Sequence, residues 1–237
     1  MHIKWKTVWP QLVFLLLMIG ILCLTVYEIM KSRPALEAES TSAFHTLVID
    51  PGHGGFDGGA ISDDGTKESD LNLAIGMKTA LIAELLGQST RMTRTDDSAR
   101  TDFSTYSEHE DLVHRTALIN ETPGAIVISI HQNDFPTGQP SGAQVLYSAY
   151  EGSKAFGTMT HANLVHFLDP ENRRVAEPAP KGLYITANAA CPAILVECGF
   201  MSNNFEVLRL CDGGYQNSIA LVLVSSLLQY LNATEIT

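Results

Sequence analysis

Basic residues are scarce in this chain: 15 lysines and arginines stand against 26 aspartates and glutamates, a formal charge of −11 over 237 residues. The deficit argues against nucleic-acid binding, which needs lysine and arginine clustered against phosphates. The acidic residues form no long block either, so the charge reads as solubility spread along a domain. Cysteine is equally sparse. Of four, Cys23 falls in an apolar stretch, leaving Cys191, Cys198 and Cys211 without CxxC spacing. An odd count permits at most one internal disulfide among these three. Cys198, inside an apolar run, reads as a small core residue before it reads as a ligand or nucleophile. No internal repeat is present.

Hydrophobic residues make up 45% of the chain, enough for one well-cored domain and an appendage. The appendage starts where charge is missing altogether. Thr7 to Tyr27 contains no charged residue, and Leu12 to Leu24 is its apolar heart. A helix of that length, rising ~1.5 Å per residue, covers roughly the 30 Å of a hydrocarbon core. The run is long for a signal-peptide core and no A-x-A site follows it closely, so an uncleaved signal anchor is favoured over a cleaved leader. The expected order is a cytoplasmic N-terminus over 1–6, a transmembrane anchor over 7–30, a polar linker over 31–43 and a folded domain over 44–237. Lys4 and Lys6 precede the span while Lys31 and Arg33 follow it, so the positive-inside bias is slight.

Within the domain, Leu47 to Gly59 reads LVIDPGHGGFDGG. A short apolar run stopped by Pro51-Gly52 predicts a buried strand ending in a tight turn that presents His53. Carboxyl ends of strands are where open α/β sheets place their chemistry, although a glycine-rich turn with an incidental histidine has the same pattern. Leu71, Ile75, Ile82 and Leu85 recur at helical spacing, with Glu68 at the helix start and Gly87 as its stop. An acid there is also what any helix N-terminus favours. Ser89 to Thr93 predicts a second strand, 96–110 a polar loop, and Leu112 to Asn120 a helix carrying Arg115, which packing or an ion pair explains. Ile126 to Ile130 predicts a strand covered on both faces and followed by His131. Gly142 to Tyr147 reads as a strand, Phe156 to Phe167 as a helix, and Arg173 to Pro180 as an extended connector. Leu183 to Thr186 and Ala193 to Cys198 read as strands, the latter carrying Glu197, and Ile219 to Leu231 as a closing helix. Strands alternating with helices imply an α/β fold, a largely parallel central sheet flanked by helices. His109 and His114 read as solvated, and His161 and His166, five apart, do not share a helix face.

Four motifs then fall in order: DPGHGG around His53, KESDLNL with Glu68, SIHQN with His131, and VECGFMSN with Glu197. Together they resemble the zinc-dependent N-acetylmuramoyl-L-alanine amidases of bacterial cell walls, over roughly Thr46 to Leu231. An ordered set is far more specific than any one motif. The resemblance implies zinc held by His53, Glu68 and His131, two histidines and a glutamate with one position open for water, as in catalytic zinc sites. It implies Glu197 as the acid/base that moves a proton from the activated water to the departing nitrogen. The bond cut would join the lactyl group of N-acetylmuramic acid to the L-alanine of the peptidoglycan stem peptide. From the residues alone a zinc peptidase or deacetylase is equally acceptable, and a zinc carboxypeptidase or a non-catalytic regulator on the same fold stays open. The anchor, the single domain, the loop after Arg94 and SGAQVLY after the second histidine are most similar to the sporulation amidases that help form muramic-δ-lactam in spore cortex. A wall hydrolase must face outward, so the domain is expected outside the bacterial cell membrane, with peptidoglycan as substrate and an activating protein partner left open.

Overall fold

The structure, a computed structural model, describes residue 18 and residues 45–97, 106–137 and 140–235. The chain divides into two units, Met1–Ala43 and Phe44–Thr237. The expected anchor over 7–30, apart from Met18, and the linker over 31–43 lie outside the described residues. Among the described residues no helix is long and apolar enough to cross a membrane.

The second unit is built on a six-stranded sheet. Its strands are β1 (Thr46–Pro51), β2 (Ser89–Met92), β3 (Ala125–Asn133), β4 (Gln144–Tyr147), β5 (Glu177–Pro178) and β6 (Ala193–Phe200), in the spatial order β2-β1-β3-β6-β4-β5. All neighbours are parallel except β4 against β6. The helices are α1 (Glu68–Leu85), α2 (Glu108–Asn120), α3 (Ser153–Leu168), α4 (Tyr184–Asn188), α5 (Asn204–Cys211) and α6 (Gly213–Glu235). Strand periodicity sorts the apolar runs to two faces. Leu47, Ile49, Ile126, Ile128, Ile194 and Val196 turn to a large core completed by α1, α3 and α6. Val48, Val127 and Ala193 turn to a smaller one with Ile119 of α2 and Ile185 of α4. Burial on both faces explains why β1 and β3 are nearly unbroken apolar runs.

Helix α1 ends in a Schellman turn, Gly87 N–H donating to Glu84 O and Gln88 N–H to Ala83 O, with Gly87 at φ 82°. Helix α2 begins earlier than its apolar pattern, at Glu108, because Ser107 Oγ accepts from Glu110 N–H. Leu183 to Thr186, expected as a strand, is instead α4. Glu177–Pro178, in the preceding connector, takes the edge beside β4, and the Leu183 segment stays outside the sheet. It coils, with Thr186 Oγ1 donating to Leu183 O, and packs Ile185 beneath β6. A short apolar run carries no periodicity to separate the two outcomes. Cys191, Cys198 and Cys211 are all free thiols, and Cys198 lies in the large core.

Candidate active site

The parallel strands β1, β3 and β6 bring their carboxyl ends to one edge of the sheet, and His53, His131 and Glu197 follow from that. His53 stands just past β1 at φ 60°, the one described non-glycine residue with positive φ. Holding an L-residue there costs of order 1–2 kcal/mol, so the surroundings must enforce it. Two guanidinium groups do so by gathering the turn's carbonyls. Arg94 donates to Pro51 O, Gly52 O and Ser69 O at 2.9, 3.0 and 2.8 Å. Arg115 donates to Pro51 O at 2.7 Å, to His53 O at 2.6 Å and to the Asp50 carboxylate at 3.1 Å. Glycine at two positions is a steric necessity. A Cβ on Gly52 would lie 2.1 Å from the His131 ring, and one on Gly59, at φ 65°, would lie 2.6 Å from Glu68 Oε2.

Glu68 opens α1 and is buried, its carboxylate fixed from three sides. Oε1 accepts from Gln132 N–H at 3.0 Å and Asn72 Nδ2 at 3.2 Å, and Oε2 accepts from Ala60 N–H at 3.0 Å. Glu68 Oε1 lies 3.0 Å from His131 Nδ1 and 3.3 Å from His53 Nε2. The other nitrogen of His53, Nδ1, is 2.7 Å from Asp57 Oδ2. In the neutral imidazole a proton held there by Asp57 would leave Nε2 as a lone pair facing the centre, the usual way a second carboxylate fixes a ligating histidine. Each of His53, Glu68 and His131 offers one ligand atom, all within 4.8 Å of one another. The electrostatics favour positive charge at this point. Burial pulls the His53 imidazole down, yet hydrogen bonds and opposing charge from Asp57 and Glu68 push it up to about 10. Burial raises the Glu68 carboxyl, but the two histidines outweigh it and hold it far below the carboxylate range. A field that keeps a proton on imidazole at such pH suits a divalent cation in its place, so the donor set fits a metal.

Glu197 faces His131 in the β3–β6 register and lines the same cavity of about 310 Å³ as His53, Glu68 and His131. Its Oε2 is buried without a hydrogen-bond partner. Burial lifts its carboxyl to about 7. Of the other histidines, His109 and His114 are exposed and the buried His161 is spent on Arg174 O at 2.7 Å, and none of the three belongs to the cluster.

The profile of the N-acetylmuramoyl-L-alanine amidase family matches residues 47–229, nearly the whole folded unit. The chain belongs to this amidase family. A germination-specific N-acetylmuramoyl-L-alanine amidase of Bacillus subtilis (strain 168) is 32% identical over 194 residues, 78% of each chain. The CwlD amidase from Clostridioides difficile, solved in complex with the GerS lipoprotein, is 32% identical with a TM-score of 0.75 over 80% of this chain and 99% of that one. An N-acetylmuramoyl-L-alanine amidase from Clostridium difficile 630 is 29% identical, with a TM-score of 0.70 over 80% of this chain and 98% of that one. The amidase thus hydrolyses the amide between N-acetylmuramic acid and the L-alanine of the stem peptide.

Several residues of the amidase's site escape a reading of sequence alone: Arg94, Asp57, Asn72 and Gln132. Asp57 lies four residues after His53 and Asn72 four after Glu68, one turn along α1, where a side chain can reach the carboxylate it supports. Those spacings were the available signal. Gln132 alternates with His131 along β3 and is buried, donating from Nε2 to Asn72 Oδ1 at 3.1 Å.

Proposed function

We propose that the amidase works with a zinc ion held by His53, Glu68 and His131, with Glu197 as its proton shuttle. The observation that carries this is the convergence of two imidazoles and a rigidly held carboxylate beside one buried, unpartnered carboxylate oxygen. Zinc at this point would supply Lewis acidity, acidifying a water molecule and polarising the scissile carbonyl. The chain's own residues do the rest. Asp57 keeps the His53 proton on Nδ1 and so keeps Nε2 free. Gln132, Asn72 and Ala60 hold the Glu68 carboxylate in place. Glu197 accepts the proton of the attacking water and returns it to the alanine nitrogen, which leaves as a neutral amine. A carboxyl lifted by burial starts within reach of both forms near neutral pH, as that relay needs.

Glu197→Gln tests the assignment, because it keeps size and removes the titrating oxygen. Zinc content should be unchanged and amide cleavage should fall by about 10² to 10⁴. Unchanged zinc with near-normal cleavage would reject the role, and loss of zinc would move Glu197 into the metal's own ligand set.

A role in spore cortex is proposed on the likeness to a germination-specific amidase and to CwlD. Muramic-δ-lactam missing from the cortex of a deletion strain would support it, and normal lactam content would reject it. The complex of CwlD with a lipoprotein makes an envelope protein partner the natural expectation, checked by cross-linking in intact cells; recovery of the chain alone would count against it.

A further inference from the structure

Beside the active-site cavity lies a second depression, of about 510 Å³, which catalysis by His53, Glu68, His131 and Glu197 does not use. That volume is within the range of about 300–1,000 Å³ typical of ligand clefts. Asp134, just past the end of β3, borders both cavities, so the second continues the first along the carboxyl edge of the sheet. Its walls come from three segments cross-tied by hydrogen bonds. Asn204 Nδ2 donates to Asp63 Oδ2 at 3.3 Å, Phe135 N–H donates to Ser202 Oγ at 3.1 Å, and beneath them Met201 N–H donates to Asn133 O at 2.7 Å.

The side chains on the rim are unusual for a solvated surface. Phe205 is 82% exposed, Ile61 63% and Phe135 49%. Around them stand the carboxylates of Asp63 and Asp134 and the amide of Asn204, and none of the described lining residues is basic. Apolar rings among neutral and anionic acceptors describe a site for a neutral ligand with C–H faces and many hydroxyl donors. The substrate leaves the scissile amide in two directions, sugars on the acyl side and stem peptide on the amine side. The stem peptide carries carboxylates, which Asp63 and Asp134 would repel; the glycan is uncharged along its rings and presents apolar faces to aromatics and hydroxyls to carboxylates.

We infer that this groove is the glycan subsite of the amidase, seating sugar rings next to the cleaved N-acetylmuramic acid on Phe205 and Phe135, with Asp63 accepting from their hydroxyls. The inference rests on the amidase reading for its substrate, and its first test needs no cleavage. Binding of an uncharged N-acetylglucosamine tetrasaccharide, which lacks the lactyl carboxylates of peptide-free muramic acid, is measured by calorimetry on the full-length chain for wild type, Phe205→Ala and Asp63→Ala, both exposed positions. Wild type should bind, and Phe205→Ala should weaken binding about tenfold, as loss of one aromatic contact does. No binding by wild type, or binding by both variants as tight as that of wild type, would overturn the subsite. Cleavage adds a second readout, using two substrates with the same stem peptide and one or four sugars. Phe205→Ala should raise KM for the four-sugar substrate about tenfold and leave the single-sugar substrate unchanged. Equal losses on both would give the groove to the peptide and reject the glycan. If glycan binds as stated while wild type cleaves neither substrate, the amidase reading fails and the groove survives.

Discussion

Asp50 and Arg115 show how much of this site is held from behind. The Asp50 carboxylate is fully enclosed, accepting from Thr93 Oγ1 at 2.7 Å, Ser129 Oγ at 2.7 Å and Arg115 Nη1 at 3.1 Å. Burial raises its carboxyl, but the Arg115 charge and the two hydroxyls outweigh that and leave it below the ordinary aspartate value. Arg115 in turn holds the carbonyls of Pro51 and His53. Removing one member of a buried pair strands the other, at a cost of about 3–5 kcal/mol. Arg115→Ala should therefore lose stability of that order in denaturant unfolding and weaken metal retention, while a loss below about 1 kcal/mol would reduce the pair to a surface-like contact. Unfolded, Asp50 titrates near 3.9, and folded it titrates lower. Its contribution to stability is thus complete above about pH 4 and drains away as pH falls through the folded value. Unfolding midpoints taken from pH 6 downward should drop steeply only on the acid side, and less so in Asp50→Asn; parallel curves for the two would contradict the assignment.

At the scale of elements, the turn after β1 carries the site and tolerates least. Gly52→Ala would drive a methyl into the His131 ring, so zinc content and activity should both collapse. Gly87→Ala meets open space and pays only for its positive φ, costing about 1–2 kcal/mol of stability with activity intact. Equal activity in the two variants would show that the turn does not set the His131 position. How far these elements are legible in sequence follows from their patterning. β1, β3 and β6 read correctly because burial on both faces makes them continuous apolar runs, and each has a residue suited to the chemistry within or just past its carboxyl end. Helix α1 was marked at both ends, by Glu68 and Gly87. The segment at Leu183 carries no signal that separates strand from helix, because four residues cannot display a period. Helix α5 is capped by Asn203 Oδ1 and buries Val207 and Leu210, but eight residues are too few to display a helical period in sequence. The antiparallel direction of β4 depends on tertiary pairing that no local pattern encodes. Asp57, Asn72 and Gln132 looked like polar residues of a turn, a helix and a strand end. Their purpose exists only once the fold closes sequence separations such as that from Gln132 to Glu68.

For the whole molecule, the uncharged run from Thr7 to Tyr27 is proposed to anchor the domain outside the bacterial membrane, with 1–6 inside. A span of that length resists alkaline carbonate, so the full chain should stay with membranes and its domain should be open to protease in spheroplasts. Release by carbonate, or a domain shielded from protease, would refute the anchor or its orientation. An acidic domain gains no general attraction to an anionic wall, which leaves substrate capture to local contacts at the sheet edge. The chemistry itself is tested most directly by mass analysis of purified peptidoglycan digested with the purified full-length chain. Cleavage at the lactyl amide predicts intact stem peptides beginning with free L-alanine and glycan strands whose muramic acid has lost its peptide. Free amino acids trimmed from stems that remain attached to the glycan would instead make the enzyme a carboxypeptidase and contradict the proposed amide chemistry at His53, Glu68, His131 and Glu197.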